Sequence, residues 1–155
     1  MYVLFYIMSS IQTVRLPGAV NPHKSSAMGI CGIDEAGRGP WAGPVVAAAV
    51  ILPTKKRPKG LADSKQLSAE AREELAIAIR ACAMVGVGLA SPGEIDQMNI
   101  LQATYLAMRR ALAALPQAPV AALIDGNSAP ADLPCPIETI IDGDAHVASI
   151  SAASI

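Results

Sequence analysis

The sequence predicts one α/β domain in which helices flank a single mixed β-sheet. Its 155 residues suffice for one hydrophobic core, and 52% of them are hydrophobic while 16% are charged. Short apolar runs of strand length alternate along the chain with segments of helical periodicity, which is typical of a sheet covered by helices. The same composition excludes a disordered protein, because disorder requires high charge and few apolar residues.

The first 28 residues differ from the rest and are expected to form an N-terminal extension or linker that is not part of the fold. Residues 1–8 are apolar, but they are too few to span a bilayer, which needs about 20 residues. They lack a basic start and a cleavage site of small residues, so a secretory signal is not indicated. Met8 and Met28 are alternatives to Met1 as the true start. We therefore expect a folded domain over residues 29–155 and no membrane partner.

Five apolar runs bounded by turn residues are the predicted strands. One of them is apolar throughout and of strand length, so it is expected to be buried on both faces of the sheet. This buried strand is the second in the chain. In order, the strands are Ile30–Asp34, Val45–Leu52, Met84–Ala90, Val120–Ile124 and Ile137–Ile141.

Helix signals fill the segments between these strands. Ser68 is a good N-cap for a helix that runs to about Cys82, and a short helix is predicted to begin at Ser91-Pro92. Apolar residues at helical spacing predict a longer helix over residues 100–115. A last helix is expected after the Asp142-Gly143-Asp144 turn. The resulting order of elements is β-β-α-β-α-β-β-α.

The last predicted helix lacks a C-terminal signal. Val147, Ile150 and Ser154 lie along one helical face. No capping glycine, basic last turn or helix breaker follows them before the chain ends at Ile155. We therefore expect the domain to be incomplete at its C-terminus.

Charge and cysteine usage bear on the partner and the compartment. Residues 1–62 carry seven Lys and Arg against two acids, whereas residues 63–155 carry five against eleven, for a formal net charge of −1. That net charge by itself disfavours a nucleic-acid partner, but so uneven a distribution is compatible with a binding surface. The three cysteines have no paired spacing and indicate neither a disulfide framework nor a zinc site. A reducing, cytoplasmic location is therefore expected.

Acidic residues stand at the ends of two predicted strands. Asp34 and Glu35 end the first strand, and Asp125 ends the fourth. If these strands are neighbours, the three carboxylates converge at one edge of the sheet, although Glu35 joins Asp34 only where the strand bends. Carboxylates without His or Cys favour Mg²⁺ or Mn²⁺, and such ions activate water for phosphodiester hydrolysis. The alternative interpretation is an ordinary polar strand end and turn.

Two further segments suggest contacts with a substrate. The glycines of Gly37-Arg38-Gly39 permit close approach of the backbone to a phosphate or sugar. Lys65, in the Asp63-Ser64-Lys65 segment, offers a point charge to a phosphate. A Gly-rich turn and a loop before a helix are the alternative interpretations. The basic residues of segment 55–59 could attract nucleic acid without sequence preference, but a solvated loop is an equally good interpretation.

Seven short blocks of sequence occur in a fixed order along residues 29–155. They are Ile33-Asp34-Glu35-Ala36-Gly37-Arg38-Gly39-Pro40, Ala42-Gly43-Pro44-Val45, Asp63-Ser64-Lys65-Gln66-Leu67, Asn99-Ile100-Leu101, Leu123-Ile124-Asp125-Gly126-Asn127, Gly143-Asp144 and Ile150-Ser151-Ala152-Ala153-Ser154-Ile155. These blocks resemble those of the type 2 ribonuclease H family, and in particular of its bacterial members. Several separate blocks in the same order make chance a poor explanation.

The resemblance implies an RNase H-like fold and endonucleolytic hydrolysis of the RNA strand of RNA–DNA hybrids. Duplex DNA that contains single ribonucleotides is also an expected substrate, cut on the 5′ side of the ribonucleotide by a metal-activated water. Asp34, Glu35 and Asp125 are then the catalytic residues and the ligands of Mn²⁺ or Mg²⁺. A monomer is expected.

The resemblance also implies which residues contact the substrate. Gly37, Arg38 and Gly39 are similar to the family's loop that senses the 2′-hydroxyl at the RNA–DNA junction. This agrees with the chemistry, because the 2′-hydroxyl is what distinguishes RNA from DNA locally. Lys65 would hold a nearby phosphate.

The chain departs from the family pattern at its C-terminal end. Members of the family continue into a segment that we expect to supply a fourth catalytic aspartate, followed by basic helices and a tyrosine. Asp144 lies upstream of that expected position and is not assigned to the site, and His146 is expected at the surface. The alternative function is an inactive, truncated remnant that at most binds metal or hybrid weakly. The Gly-Arg-Gly loop argues against another RNase H-like nuclease, such as a junction resolvase.

Overall fold

Five strands form one sheet in the computed structural model, which describes residues 29–38, 43–62 and 64–155. The expected extension over residues 1–28 lies outside the described residues, as do Gly39 and Asp63. The predicted strands are all present, with bounds that differ by at most two residues from those expected. They are β1 (Ile30–Ala36), β2 (Val45–Ile51), β3 (Met84–Ala90), β4 (Ala121–Asp125) and β5 (Ile137–Ile140).

Five α-helices occur in the same described residues: the three expected between the strands are all present, and two occur at the end of the chain, where one was expected. Ser68 caps the first helix as predicted, because its hydroxyl accepts a hydrogen bond from the Ala71 N–H at 3.2 Å. Asn99, with a φ of 74°, separates the second helix from the third and caps the third through its side chain. The helices are α1 (Ala69–Cys82), α2 (Pro92–Met98), α3 (Ile100–Ala113), α4 (Gly143–His146) and α5 (Ala148–Ser154).

The order of the strands in the sheet is β3-β2-β1-β4-β5. β1 pairs with β2 and β2 with β3 in antiparallel fashion, whereas β1 pairs with β4 and β4 with β5 in parallel. The last residue pair between β1 and β4 is Ile33 with Ile124, so Asp34 and Asp125 follow at the same end of adjacent strands. The predicted mixed sheet is therefore confirmed, and its parallel core brings the carboxyl ends of three strands to one edge.

Helices cover both faces of this sheet. Cys31 and Ile33 of β1 belong to the core cluster that contains Ala107 and Ala111 of α3. On the opposite face, Ile30 packs in a cluster with Ile150 and Val147 at the start of α5, and α1 contributes Ile79 to a neighbouring cluster with Ala152 and Ala153. None of the helices in the described part of the chain is long and apolar enough to cross a membrane.

Close packing of α5 on β1 depends on Gly32. A Cβ atom placed on this glycine would lie 2.2 Å from the backbone carbonyl carbon of Ser149, a separation that real Cβ atoms do not show. The contact is with backbone, which cannot rotate away as a flexible side chain does. Gly32 therefore determines how near the C-terminal helix comes to the central strand.

Candidate active site

Asp34 lies on the central strand and is 7% exposed. Burial raises the pKa of its carboxyl from 3.8 to about 7, against the hydrogen bond that its Oδ1 accepts from the Glu35 N–H at 2.7 Å. Repulsion from three other carboxylates raises the pKa of Asp34 as well; they belong to Asp125, Glu35 and Asp144. The Asp34 carboxyl is therefore buried and interacts electrostatically with three other acidic side chains, which together with it form a group of four carboxylates.

Glu35 projects from the other face of the same strand. The bend that was expected to bring it beside Asp34 does not occur, because β1 stays paired with β2 as far as Ala36 and Val46. Successive side chains of a paired strand point to opposite faces. Glu35 lines a cavity on the α3 side together with Tyr105. Its Oε1 lies 3.2 Å from Nη1 of Arg38, so the two form a partly exposed ion pair.

Asp125 contacts the segment that follows β5 and lies at the same end of the sheet as the two acids of β1. It ends β4, and its Oδ1 accepts a hydrogen bond from the Gly143 N–H at 2.8 Å. Asp125 also lines the cavity that contains Glu35. Because Gly143 begins α4, this hydrogen bond attaches the segment that follows β5 to the carboxylate at the end of β4.

Asp144 is the fourth carboxylate, and it was not predicted from the sequence to belong to the site. It is 7% exposed, and Nζ of Lys65 lies 3.6 Å from its Oδ2. The chain itself thus places a fourth carboxylate in the group, upstream of the position where one was expected. A signal was present in the sequence: Asp144 closely follows a strand parallel to β4, so the argument that joined Asp34 to Asp125 applies to it too.

The glycine-rich turn that follows β1 begins at Gly37. Its φ is 91°, and a Cβ atom there would lie 2.4 Å from the carbonyl oxygen of Pro44. Glycine is required at this position, since both the backbone conformation and the space exclude a side chain. Arg38 is exposed and adjoins Glu35, whereas Gly39 lies outside the described residues.

Lys65 is brought to the site by a 3₁₀ helix, Ser64–Gln66. Its side chain is 83% exposed, so it remains accessible to a phosphate from solvent. In the basic loop, Lys55, Lys56 and Lys59 are exposed, and the Nε–H of Arg57 donates to the carbonyl of Pro53 at 3.1 Å. The exposed lysines and this hydrogen bond are compatible both with a loop that attracts nucleic acid and with a solvated loop.

The donor set is suitable for a hard divalent cation. All four clustered side chains offer carboxylate oxygens, the ligands that Mg²⁺ and Mn²⁺ prefer. Within residues 29–38, 43–62 and 64–155, no three acidic, histidine or cysteine side chains already surround one common position. Asp125, Glu35 and Asp144 each have a partner in the chain, so an ion would compete with an N–H group, Arg38 and Lys65.

Comparison with known proteins adds to this geometry. A family model described as ribonuclease HII matches residues 31–155. The chain belongs to the ribonuclease HII family. The ribonuclease HII of Maricaulis maris (strain MCS10) is 60% identical over 126 residues, which cover 81% of this chain and 58% of that protein. The chain thus spans 58% of the length of that relative, and it spans 47% of the ribonuclease HII of Parvibaculum lavamentivorans.

Solved structures agree with the family membership. The crystal structure of ribonuclease H2 from Pyrococcus horikoshii OT3 matches with a TM-score of 0.68 and 30% identity, over 81% of this chain and 68% of that one. Bst-RNase HIII in complex with Mn²⁺ matches with a TM-score of 0.71 and 25% identity, over 89% of this chain and 53% of that one. The expected RNase H-like fold is thus confirmed.

The raised pKa of Asp34 predicts how the stability of the metal-free protein depends on pH. The folded protein keeps the proton on Asp34 up to about pH 7, whereas the unfolded chain loses it near 3.8. The folded state therefore binds more protons in this window, and the free energy of unfolding should fall as pH rises through it. The fall attributable to Asp34 is at most about 4 kcal/mol, from about 1.4 kcal/mol for each pKa unit.

Urea unfolding in the presence of a chelator, at several pH values between 4 and 8, measures this dependence. Asp34→Asn should remove most of it and should make the metal-free protein more stable near neutral pH. Parallel pH profiles for the parent chain and the Asn variant would contradict the prediction, because they would show that Asp34 titrates alike in both states.

Proposed function

We propose that this chain is the catalytic part of an endonuclease that hydrolyses the RNA strand of RNA–DNA hybrids. The proposal includes cleavage on the 5′ side of single ribonucleotides in duplex DNA. It is supported by membership of the ribonuclease HII family together with one structural observation. That observation is a buried carboxyl with a pKa raised to about 7, at the edge of the sheet where parallel strands end and under the electrostatic influence of three more carboxylates.

We infer that Asp34, Glu35, Asp125 and Asp144 hold Mn²⁺ or Mg²⁺, with Asp34 at the centre. Burial and, to a smaller extent, repulsion from the other carboxylates raise the pKa of Asp34, and a divalent cation relieves this repulsion. When bound, such an ion supplies an activated water and neutralises charge on the phosphodiester. The choice of metal is supported by Bst-RNase HIII in complex with Mn²⁺, a solved structure similar to this chain.

The substrate contacts are assigned by position. The described part of this turn, Gly37 and Arg38, begins directly after β1, and its backbone is free of side-chain bulk at Gly37. We infer that this turn recognises the 2′-hydroxyl group, and that Lys65 exchanges Asp144 for a phosphate when nucleic acid binds. Residues 29–155 form the catalytic domain in this proposal.

A cytoplasmic monomer is the form that we propose for the protein. All three cysteines are unpaired, and burial raises the pKa of Cys31 to about 12, so this thiol stays protonated and unreactive. Unpaired cysteines suit a reducing compartment.

The experiment that tests the activity uses the purified chain and a DNA duplex that contains one ribonucleotide, first in Mn²⁺ and then in Mg²⁺. We expect one cut on the 5′ side of the ribonucleotide, which leaves a 3′-hydroxyl and a 5′-phosphate. An all-DNA duplex of the same sequence is the matched substrate and should remain intact. A folded chain that binds Mn²⁺ but cuts neither duplex would overturn the proposed activity and favour the inactive alternative.

Replacement of Lys65 by Gln should weaken substrate binding more than the chemical step. The loss of one phosphate contact should reduce the slope of log K against log salt concentration by about 1 and weaken binding to all sequences alike. Fluorescence anisotropy with a labelled hybrid at several salt concentrations measures the slope. A slope equal to that of the parent chain would remove Lys65 from the phosphate contacts.

The same measurement on Lys55→Gln decides between the two interpretations of the basic loop. A reduced slope would place the loop on the nucleic acid. An unchanged slope would identify it as a solvated loop.

A further inference from the structure

Ser151 is a buried serine of α5, and its hydroxyl contacts the backbone of Asp144, one of the four acidic residues. Ser151 is 4% exposed. The hydroxyl lies within hydrogen-bond distance of two carbonyl oxygens, that of Asp144 and, at 3.2 Å, that of Val147. Ser151 therefore connects the last helix to the residue that carries the fourth carboxylate.

The carbonyl of Asp144 depends on this contact because α4 is a single turn. The last carbonyl groups of a helix have no partner within it, and a buried carbonyl without a partner is costly. Here the Val147 N–H donates to Gly143, and the N–H groups of Ile150 and Ser151 both donate to Val147. The Ser151 hydroxyl supplies the donor that these backbone bonds leave missing at Asp144.

The two ends of the Gly143-Asp144 dipeptide are thus both fixed. At one end, the Gly143 N–H donates to the Asp125 carboxylate at 2.8 Å. At the other end, Ser151 belongs to α5, which packs closely against Gly32 and buries Ile150 completely in the core. A residue so held presents its side chain in one place.

We propose that Ser151 is a positioning residue of the metal centre, which it serves by fixing the backbone of Asp144 relative to Asp34 and Asp125. The inference rests on the proposed function, since it concerns the affinity of the four-carboxylate group for a divalent cation. Groups that orient metal ligands without touching the metal typically change its affinity by 10- to 100-fold when they are removed. Ser151 acts through Asp144 and makes no contact with substrate or ion.

The test is calorimetric titration of the metal-free chain with Mn²⁺, which requires no catalytic activity. Ser151→Ala should raise the Kd for Mn²⁺ about tenfold. Ser151→Cys keeps the size and a weak donor, so it should give an intermediate Kd. Ser149→Ala is a matched control on the same helix: Ser149 is 1% exposed, and its hydroxyl has no hydrogen-bond partner among the described residues. Its Kd should stay within about twofold of the parent value.

Thermal unfolding of each variant separates positioning from stability. A lower Tm for Ser151→Ala with an unchanged Kd would overturn the inference and leave Ser151 a structural residue only. If the Ala variant does not fold, the Cys variant decides, and an unchanged Kd there overturns the inference equally. If the parent chain itself binds no Mn²⁺, the metal centre of the proposed function fails, and the role of Ser151 fails with it.

Discussion

Asp34→Asn is expected to reduce cleavage of a ribonucleotide-containing duplex by at least about 10³-fold, from the loss of several kcal/mol of charge stabilisation at the phosphodiester. Among the acids of the group that lie on strands, Asp34 is the most buried. The other three carboxylates all raise its pKa. Asn keeps the size of the side chain but removes the negative charge that holds a cation. Single-turnover cleavage in Mn²⁺ and in Mg²⁺ measures the loss.

Two comparisons make this result specific. Asp96→Asn removes an exposed carboxylate of α2 and should cleave at the parent rate. Binding of the duplex by Asp34→Asn should persist, because the proposed phosphate and 2′-hydroxyl contacts are made by other residues. Cleavage by Asp34→Asn within tenfold of the parent rate would remove Asp34 from the catalytic residues.

Gly32→Ala is expected to destabilise the fold by about 3 kcal/mol or more, at the upper end of what overpacking a core costs. The new methyl group would overlap the Ser149 backbone, so α5 has to move away from β1. Such a movement also carries Ser151 away from Asp144, and affinity for Mn²⁺ should fall with stability. Urea unfolding and metal titration of the same preparation measure both effects.

Gly93→Ala is the matched glycine variant, since a Cβ atom at Gly93 meets nothing within 4 Å. Gly93 lies in the first turn of α2, where alanine is favoured over glycine by about 0.5 to 1 kcal/mol. The two variants should therefore shift stability in opposite directions. A Gly32→Ala protein as stable as the parent would show that α5 is not held at the distance seen here.

Local signals in the sequence were sufficient for most of the elements. Ser68 and Ser91 are N-caps in the structure as predicted, and the Ser91-Glu94 pair forms a capping box. β3 has the predicted bounds because its apolar run is limited by a helix on one side and by Ser91 on the other. Caps and apolar runs act over a few residues, so they can be recognised without knowledge of the rest of the chain.

Other features depended on contacts that the sequence does not display. The predicted last helix is divided at Val147, whose backbone is extended (φ −119°, ψ 110°) and whose side chain is buried in the core. Glu35 was expected beside Asp34 through a bend, but pairing with β2 keeps the strand extended and turns Glu35 to the α3 side. Strand pairing is a long-range interaction, and it decided which face each acid occupies.

By itself, the sequence determined the mixed α/β architecture, the family and the acids at the ends of β1 and β4, because residue type and spacing express these directly. Only the tertiary structure brought Asp144 to Asp34. Their proximity follows from the parallel pairing of β4 with β5, the hydrogen bond of Gly143 to Asp125 and the packing of α5 on Gly32. Each of these contacts joins residues far apart in the chain, and together they set the distances on which metal binding depends.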